Sequence, residues 1–479
     1  RNHPDADALA VLERLLGDPG SGLLNLHLTQ TQKIKAAGTF VWPFNEKSLF
    51  LLNAVPRAGQ SLAEAEGLLM EEIEKVKAGR FTQEDVRAAV TNMEVSEKER
   101  LESDEKRVDA ILESYIAGSQ WRRDVEGPAR LRRVSKADVM RVAGLYLGGD
   151  RSVVYRRQGK TDAPRIEKPG FTPIDIDPTR RSAFAGELAA APAPELKPRW
   201  LEDGKDYVVR SEPWGKLYWA KNPVSDLFSL AFIIPGGLRK DPRLPMAVQL
   251  FNASGAADLT PAEFEARLSR LGTRMELKCE EDECGATLTG LEANLEESLR
   301  LLSLRLARPN IPRGVLRRLV DVELGARLDQ RKDPAEIGQA LSQYARSGAG
   351  SSVLAGLSAS GLKALRTGEL RRLLAGLLGT RHDVLFVGTK TSENISKATA
   401  LGRRRWRREP PRPARRITLP AKPRVLFVHR EGMVQAHIGL FASDGPNGPD
   451  GAVARRFYTT AMGGMGGIVF QEVREARSL

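Results

Sequence analysis

The chain has 479 residues, 41% hydrophobic and 28% charged, a balance that predicts a soluble globular protein able to bury several cores. No apolar run reaches the length of about 18 residues that a bilayer-spanning helix needs, and two cysteines, Cys279 and Cys284, are too few for a disulfide framework. The net charge of +13 is compatible with an acidic partner, but much of the excess sits in Arg403-Arg404-Arg405-Trp406-Arg407-Arg408 and in Arg412, Arg415 and Arg416.

At roughly 100 to 200 residues per domain, the length predicts about three domains. The chain opens with an apolar, helix-like segment after Pro4-Asp5 that runs to Leu16, then Gly20-Ser21-Gly22-Leu23-Leu24 and Leu28. The same pattern returns near the end at a constant offset of 445 residues: Pro449-Asp450, a segment through Met462, then Met465-Gly466-Gly467-Ile468-Val469 and Val473. Self-similarity at so long a period means duplicated domains and not a solenoid. The chain is expected to be a slice through a two-unit protein. No basic and apolar signal segment opens it; if residue 1 is an internal cut, that leaves the compartment open.

The first module, residues 1–158, continues with strand-like Phe40-Val41-Trp42 and Ser48 to Leu52, then a long helix from Ala63 to Lys77. Thr82 with Asp85, and Ser135 with Asp138, have the spacing of a capping box and start two further helices. Ser152-Val153-Val154-Tyr155 reads as a closing strand. Residues 159–203 are rich in proline and charge, lack periodicity, and include an alanine-proline stretch from Ala189 to Pro194, as a linker would.

The second module, residues 204–398, begins with Tyr207-Val208-Val209 and Leu217-Tyr218-Trp219 flanking Pro213-Trp214-Gly215 as a hairpin. Leu227 to Ile234 reads as a buried strand ended by Pro235-Gly236-Gly237. Thr260-Pro261-Ala262-Glu263 starts a helix, and Leu271-Gly272 closes it. Arg274 to Cys279 and Gly285 to Thr289 form another hairpin, helices cover Asn294 to Leu306 and Val315 to Arg331, and Asp383 to Gly388 is the last strand. A basic linker, 399–419, leads to a third module, 420–479, which starts with apolar Arg424-Val425-Leu426-Phe427-Val428.

Lys221-Asn222-Pro223, Asp226-Leu227-Phe228, Gly236-Gly237, Asp241-Pro242, Leu271-Gly272 and Gly290-Leu291-Glu292-Ala293-Asn294-Leu295 occur in an order and spacing that resemble the zinc metallopeptidases of the insulinase or pitrilysin family. Gly463-Gly464-Met465-Gly466-Gly467 with Phe470 to Leu479 resembles them too. The resemblance implies an α+β fold of repeated subdomains, each an antiparallel sheet with helices on one face. It also implies two homologous halves that close like a clam shell around a peptide. On that layout, residues 1–158 are the second subdomain of the first half, 204–398 the first subdomain of the second half, and 420–479 a truncated last subdomain.

The family's chemistry uses H-x-x-E-H on a helix, where two imidazoles on one face bind zinc and the glutamate activates water, with a glutamate on a later helix as third ligand. None of the five histidines, His3, His27, His382, His429 and His437, has a partner four residues away. By resemblance the motif place falls on Met246-Ala247-Val248-Gln249-Leu250, where Met246 and Leu250 replace the imidazoles and Gln249 replaces the base. Glu323 lies near the third-ligand place. No metal site is therefore expected in this chain, and the zinc of the parent protein is expected upstream of residue 1. Arg474 matches a family arginine that reaches the substrate backbone, a role suited to its fork of donors; the accompanying tyrosine two turns on falls beyond Leu479, and Thr29 stands at the equivalent place of the first copy.

The implied function is a portion of a zinc-dependent endopeptidase, supplying the non-catalytic half that encloses a peptide substrate beside the first-half catalytic subdomain. The fragment alone is expected to be inactive. One alternative is a non-catalytic scaffold or partner subunit of the same family. Another is nucleic-acid binding through Arg403 to Arg416, which could neutralise phosphates and stack a base on Trp406. Pro410, Pro411 and Pro413, and the position between subdomains, favour a connector. His429 and His437 are expected to be core or edge histidines, and Cys279 and Cys284 to be unpaired or loosely paired hairpin thiols. Relatives of this layout favour the bacterial periplasm.

Overall fold

The computed structural model describes residues 3–57, 59–157, 159, 181–192, 197–401, 405–407, 423–429, 438–439, 448–464 and 466–475, without the side chains of 449–450 and 473–475. In chain order, helix α1 (Ala6–Gly17) leads through a π-helical turn (Asn25–Thr29) to the hairpin β1 (Ala36–Pro43) and β2 (Ser48–Val55). Helices α2 (Leu62–Lys77), α3 (Gln83–Leu101), α4 (Asp104–Ile116), α5 (Trp121–Val125), α6 (Gly127–Leu131), α7 (Lys136–Tyr146) and α8 (Ala183–Ala190) follow. Strands β3 (Val208–Glu212), β4 (Gly215–Lys221) and β5 (Leu227–Pro235) precede α9 (Leu244–Asn252), β6 (Gly255–Ala256), α10 (Pro261–Arg270), β7 (Thr273–Cys279) and β8 (Glu283–Leu291). After α11 (Leu295–Ala307) and β9 (Pro309–Asn310) come α12 (Val315–Gln330), α13 (Pro334–Ser347), α14 (Ser352–Ala355), α15 (Ala359–Lys363) and α16 (Thr367–Leu377). The chain continues with β10 (Asp383–Gly388), α17 (Ser392–Thr399), α18 (Pro449–Met462) and a second π-helical turn (Phe470–Glu475). The fold class is α+β, as the resemblance implied.

The residues cluster into two compact units, one of Arg1–Gly236, Leu244–Leu316 and Arg366–Glu409, the other of Gly237–Arg243, Arg317–Leu365 and Pro410–Leu479. In the first unit, the apolar stripe of α1 (Ala8, Val11, Leu12, Leu15, Leu16) is buried in one core with Ile73 and Val76 of α2 and Val139, Val142 and Ala143 of α7. A polar clamp fixes the start of α1: Asp5 accepts from Arg141 at 2.6 Å and from the Tyr146 hydroxyl at 2.8 Å, and these hydrogen bonds hold its carboxyl below the usual carboxylate range. Thr82, Ser135 and Thr260, the helix starts read from the sequence, each form a reciprocal capping box, and Ser61, not singled out there, forms a fourth; each satisfies two otherwise orphaned N–H groups.

The main sheet has the order β3-β4-β10-β5-β8-β7. Strand β10 lies inside it, parallel to β4 and antiparallel to β5, so the strand that arrives last is inserted between the β3–β4 hairpin and β5. On one face Leu230, Phe232, Leu288, Val384 and Phe386 are buried; α9 and α10 pack on β7, and α11 on β8. Glu297 of α11 accepts from Arg300 at 2.6 Å and from Arg267 of α10 at 2.7 Å, and these bonds bring its pKa down to about 2. A carboxyl lowered on folding stabilises above its ordinary pKa and loses that contribution as the pH falls through the folded value. Stability should therefore decline between about pH 5 and pH 2, and in Glu297→Gln this decline should be shallower by about 1 kcal/mol after allowance for solvent screening. Urea midpoints across that range measure it.

Three expectations change. Cys279 and Cys284, expected to be unpaired or loosely paired, are joined by a disulfide. They stand opposite one another as the last residue pair of the β7–β8 ladder, a placement that brings their side chains together. Ser152 to Tyr155, read as a strand, has no regular structure, and Val154 is 92% exposed. Strand β10 is held by ladders on both sides, whereas 152–155 is tied by side chains, Arg151 and Tyr155 both bonding Glu66 of α2. The apolar stretch from Arg424 to Val428 also lacks regular structure and is exposed. Within the expected linker, α8 forms without periodicity because alanine propensity and the Ser182 cap suffice.

Candidate functional site

Helix α9 carries the place where the resemblance puts a metal motif. Its Leu244, Met246, Ala247, Val248, Leu250 and Phe251 are buried, Met246 at 3% and Leu250 at 0% exposure, while Gln249 faces solvent. The helix packs on β7 and on α16, so Met246 and Leu250 are core side chains. The donor set does not suit zinc: a thioether, an amide and an isobutyl group replace two imidazoles and a carboxylate. Among the described residues no three His, Cys, Asp or Glu side chains gather as a metal ion would require. Glu323, in the second unit, is paired with Arg327 at 2.8 Å, and Arg327 also donates to the Leu357 carbonyl at 2.6 Å.

The C-terminal end of α9 is held by polar groups. Asn252 acts like an extra strand residue: its amide donates to the Leu277 carbonyl at 2.8 Å and accepts from the Leu277 N–H at 3.2 Å, covering the open edge of β7. Arg305 of α11 is 1% exposed and donates to the carbonyls of Asn252 at 2.9 Å and Ser254 at 2.6 Å. Its guanidinium lies over the rings of Phe251 at 4.7 Å and Phe264 at 4.4 Å and pairs with Glu265 at 3.3 Å. Burial pushes the Glu265 carboxyl up against the pull of that cation. This cluster was not read from the sequence, although a signal existed: Arg305 falls on the same helical stripe as Ser298, Leu301 and Leu302, a place for an apolar residue.

A second seam joins the first and second modules along α3. The Asn92 amide, buried, donates to the Ser269 carbonyl at 3.0 Å and hydroxyl at 2.8 Å; Arg274 pairs with Glu99, Lys98 with Asp226, and Glu102 accepts from Asn222 and Ser225. Glu292, inside the quoted Gly290 to Leu295 stretch, is buried and accepts from the backbone N–H groups of Thr389 and Lys390 just after β10. The quoted stretches are thus largely seam and turn residues.

The other candidates have structural surroundings. His27 meets Glu72 at 2.7 Å, and His382 is buried with Nδ1 at 2.8 Å from the Thr380 carbonyl and its ring stacked on Trp214. His429, expected to be a core or edge histidine, is instead exposed beside Phe427 in a segment that no strand ladder holds, and His437 lies outside the described residues. Of the basic run, Arg405, Trp406 and Arg407 are described, and Arg407 pairs its backbone with Gly379 and Arg381. Arg474 is on the second π-helical turn, and its side chain lies outside the described residues.

Residues 1–93 match the family model for "Peptidase M16 inactive domain", M16 being the insulinase or pitrilysin family. No curated protein sequence matches the chain. Among solved structures, it is similar to a peptidase M16 inactive domain from Pseudomonas fluorescens, with 18% identity, 57% of this chain and 69% of that one covered, and a TM-score of 0.44. It is similar to a protease from Helicobacter pylori, with 14% identity, 45% and 54% covered, and a TM-score of 0.37. For the periplasmic protease PqqL from Escherichia coli the values are 11% identity, 86% and 48% covered, and a TM-score of 0.39, so the chain spans about half of that protein. Residues 1–93 are thus similar to part of a peptidase M16 inactive domain.

Proposed function

We propose that this chain is a portion of a zinc-dependent endopeptidase and supplies its non-catalytic, substrate-enclosing half. The observation that carries the reading is the fate of α9: the two positions of the motif that would point imidazoles at a metal instead sink Met246 and Leu250 into the core. A helix so used contributes a wall and no chemistry. Zinc, on this reading, is held upstream of residue 1, and Arg474 contacts the backbone of a bound peptide. The disulfide between Cys279 and Cys284 supports maturation in an oxidising compartment such as the bacterial periplasm. The pairing of Arg407 with the Gly379 to Arg381 backbone supports a connector role for the basic run over a nucleic-acid arm.

The test is peptide cleavage by the purified chain and by the polypeptide extended upstream, each with and without a chelator. The chain alone is expected to show no chelator-sensitive cleavage, before or after Gln249→Glu. The extended form is expected to bind zinc and cleave, and Arg474→Ala to weaken that cleavage. Chelator-sensitive cleavage by these 479 residues alone, or an extended form that binds no zinc, would overturn the proposal; the second outcome favours the scaffold reading.

A further inference from the structure

The hairpin β1–β2 is apolar on both of its faces. On one, Ala37, Phe50, Leu52 and Ala54 pack against the core of the first unit. On the other, Phe40, Trp42 and Phe44 follow one another at alternate positions and are exposed by 37%, 52% and 55%, and Leu49, paired with Trp42 across the ladder, is exposed by 48%. The three rings form a continuous row of edge contacts, with centroids 5.3 Å and 6.4 Å apart. An antiparallel hairpin with one wet face carries polar side chains there. The hairpin β7–β8 of the same chain does so: the alternate positions turned away from its core are Arg274, Glu276 and Lys278 on β7 and Thr287 and Thr289 on β8. The outer face of β1–β2 is therefore built to meet something other than water.

Two further features identify the occupant. The aromatic row runs out to the exposed hairpin tip, where the Asn45 amide donates to the Ile116 carbonyl at 2.9 Å and so sets the last turn of α4, with Tyr115 82% and Ile116 57% exposed, beside it. Charge around the row has one sign. Between residues 31 and 60 the chain carries Lys33, Lys35, Lys47 and Arg57, all exposed, against a single acid, Glu46. Large apolar side chains with a rim of cations match an anionic bilayer surface, where aromatic rings settle at the headgroup level and each nearby cation adds attraction.

We propose that the outer face of β1–β2, with Tyr115 and Ile116 at the end of α4, is a docking surface for an anionic lipid membrane. Phe40, Trp42, Phe44 and Leu49 enter the boundary between headgroups and acyl chains, and the four cations meet the lipid phosphates. The contact is with the surface of the bilayer, since no helix among the described residues is long and apolar enough to cross one. The inference rests on the two faces of one hairpin and on its charge, and it stands or falls independently of the peptidase reading.

The test is co-sedimentation of the 479-residue chain with vesicles of phosphatidylcholine alone and of equal parts phosphatidylcholine and phosphatidylglycerol. Binding is expected to the anionic vesicles and should fall as salt is raised. Trp42→Ser with Phe44→Ser should weaken it at least ~10-fold, and Lys33→Ser with Lys35→Ser and Lys47→Ser by about 100-fold. All of these side chains are exposed, so neither variant should change the Tm. Tryptophan emission should shift to the blue on anionic vesicles, and Trp42→Phe should lose most of that shift while still sedimenting, which separates this face from the arginine run at 403–416 as the source of binding. No binding to the anionic vesicles, or binding that the changes at Trp42 and Phe44 leave intact, overturns the proposal. So does the loss, in variants whose vesicle binding is unchanged, of a dimer seen by sedimentation equilibrium or of binding to an apolar peptide; those outcomes give the face to a second copy or to a peptide.

Discussion

Arg305→Met is expected to lower the stability of the chain by about 3 to 5 kcal/mol, the range for removing one partner of a buried ion pair. The native guanidinium does three things at once. It satisfies the Asn252 and Ser254 carbonyls beyond α9, it lies between Phe251 and Phe264, and it balances the charge of Glu265. Methionine fills much of the volume and leaves two carbonyls without that donor and a carboxylate without its counter-ion. Because the loss is dominated by the abandoned carboxylate, the double variant Arg305→Met with Glu265→Leu should recover a large part of it, by about 2 kcal/mol or more. Urea denaturation followed by circular dichroism measures both. A double variant no more stable than the single one would show that the carbonyl contacts and ring stacking, and not the charge, carry the stabilisation.

Gly290→Ala is the second large effect expected, at about 3 to 5 kcal/mol, from backbone strain of about 1 to 3 kcal/mol added to overpacking of similar size. Gly290 has φ of +155°, and a Cβ there would stand 2.3 Å from the Gly272 carbonyl oxygen and 3.0 Å from Thr273 Cα. Neither obstacle is the end of a flexible side chain. The turn cannot retreat, because Gly272, at φ of +58°, is itself backed by Thr91 and Val95 of α3. The stretch from Leu271 to Asn294 is therefore tied to the seam between the two modules, and the variant should loosen α3 along with the β7–β8 hairpin. Hydrogen exchange of the α3 amides is the direct readout: protection retained there, with stability lost elsewhere, would separate the turn from the seam.

Gln249 and its neighbours on α9 have opposite surroundings. Gln249 faces solvent, whereas Met246 and Leu250 are buried on a helix that packs against β7 and α16. Converting Leu250 to a metal-binding imidazole would place a polar ring in an apolar core with no ligand partners around it.

Local structure was legible in the sequence wherever a few neighbouring residues decide it. Four capping boxes, the proline and glycine punctuation, and the period-two strands of both hairpins need no distant partner to be recognised. The offset that pairs α1 with α18 was also legible, because duplication leaves matched apolar spacing behind. Tertiary structure alone decided whether an apolar run becomes a strand: Asp383 to Gly388 does so because β4 and β5 flank it, and Ser152 to Tyr155 does not, because a strand's backbone bonds belong to its neighbours. It also decided that Cys279 and Cys284 meet, since only the register of β7 on β8 sets them opposite one another. The burial of Arg305 is of the same kind: whether a charge can leave water depends on carbonyls, rings and a carboxylate brought together from elements far apart in the chain, and no local pattern of residues contains that information.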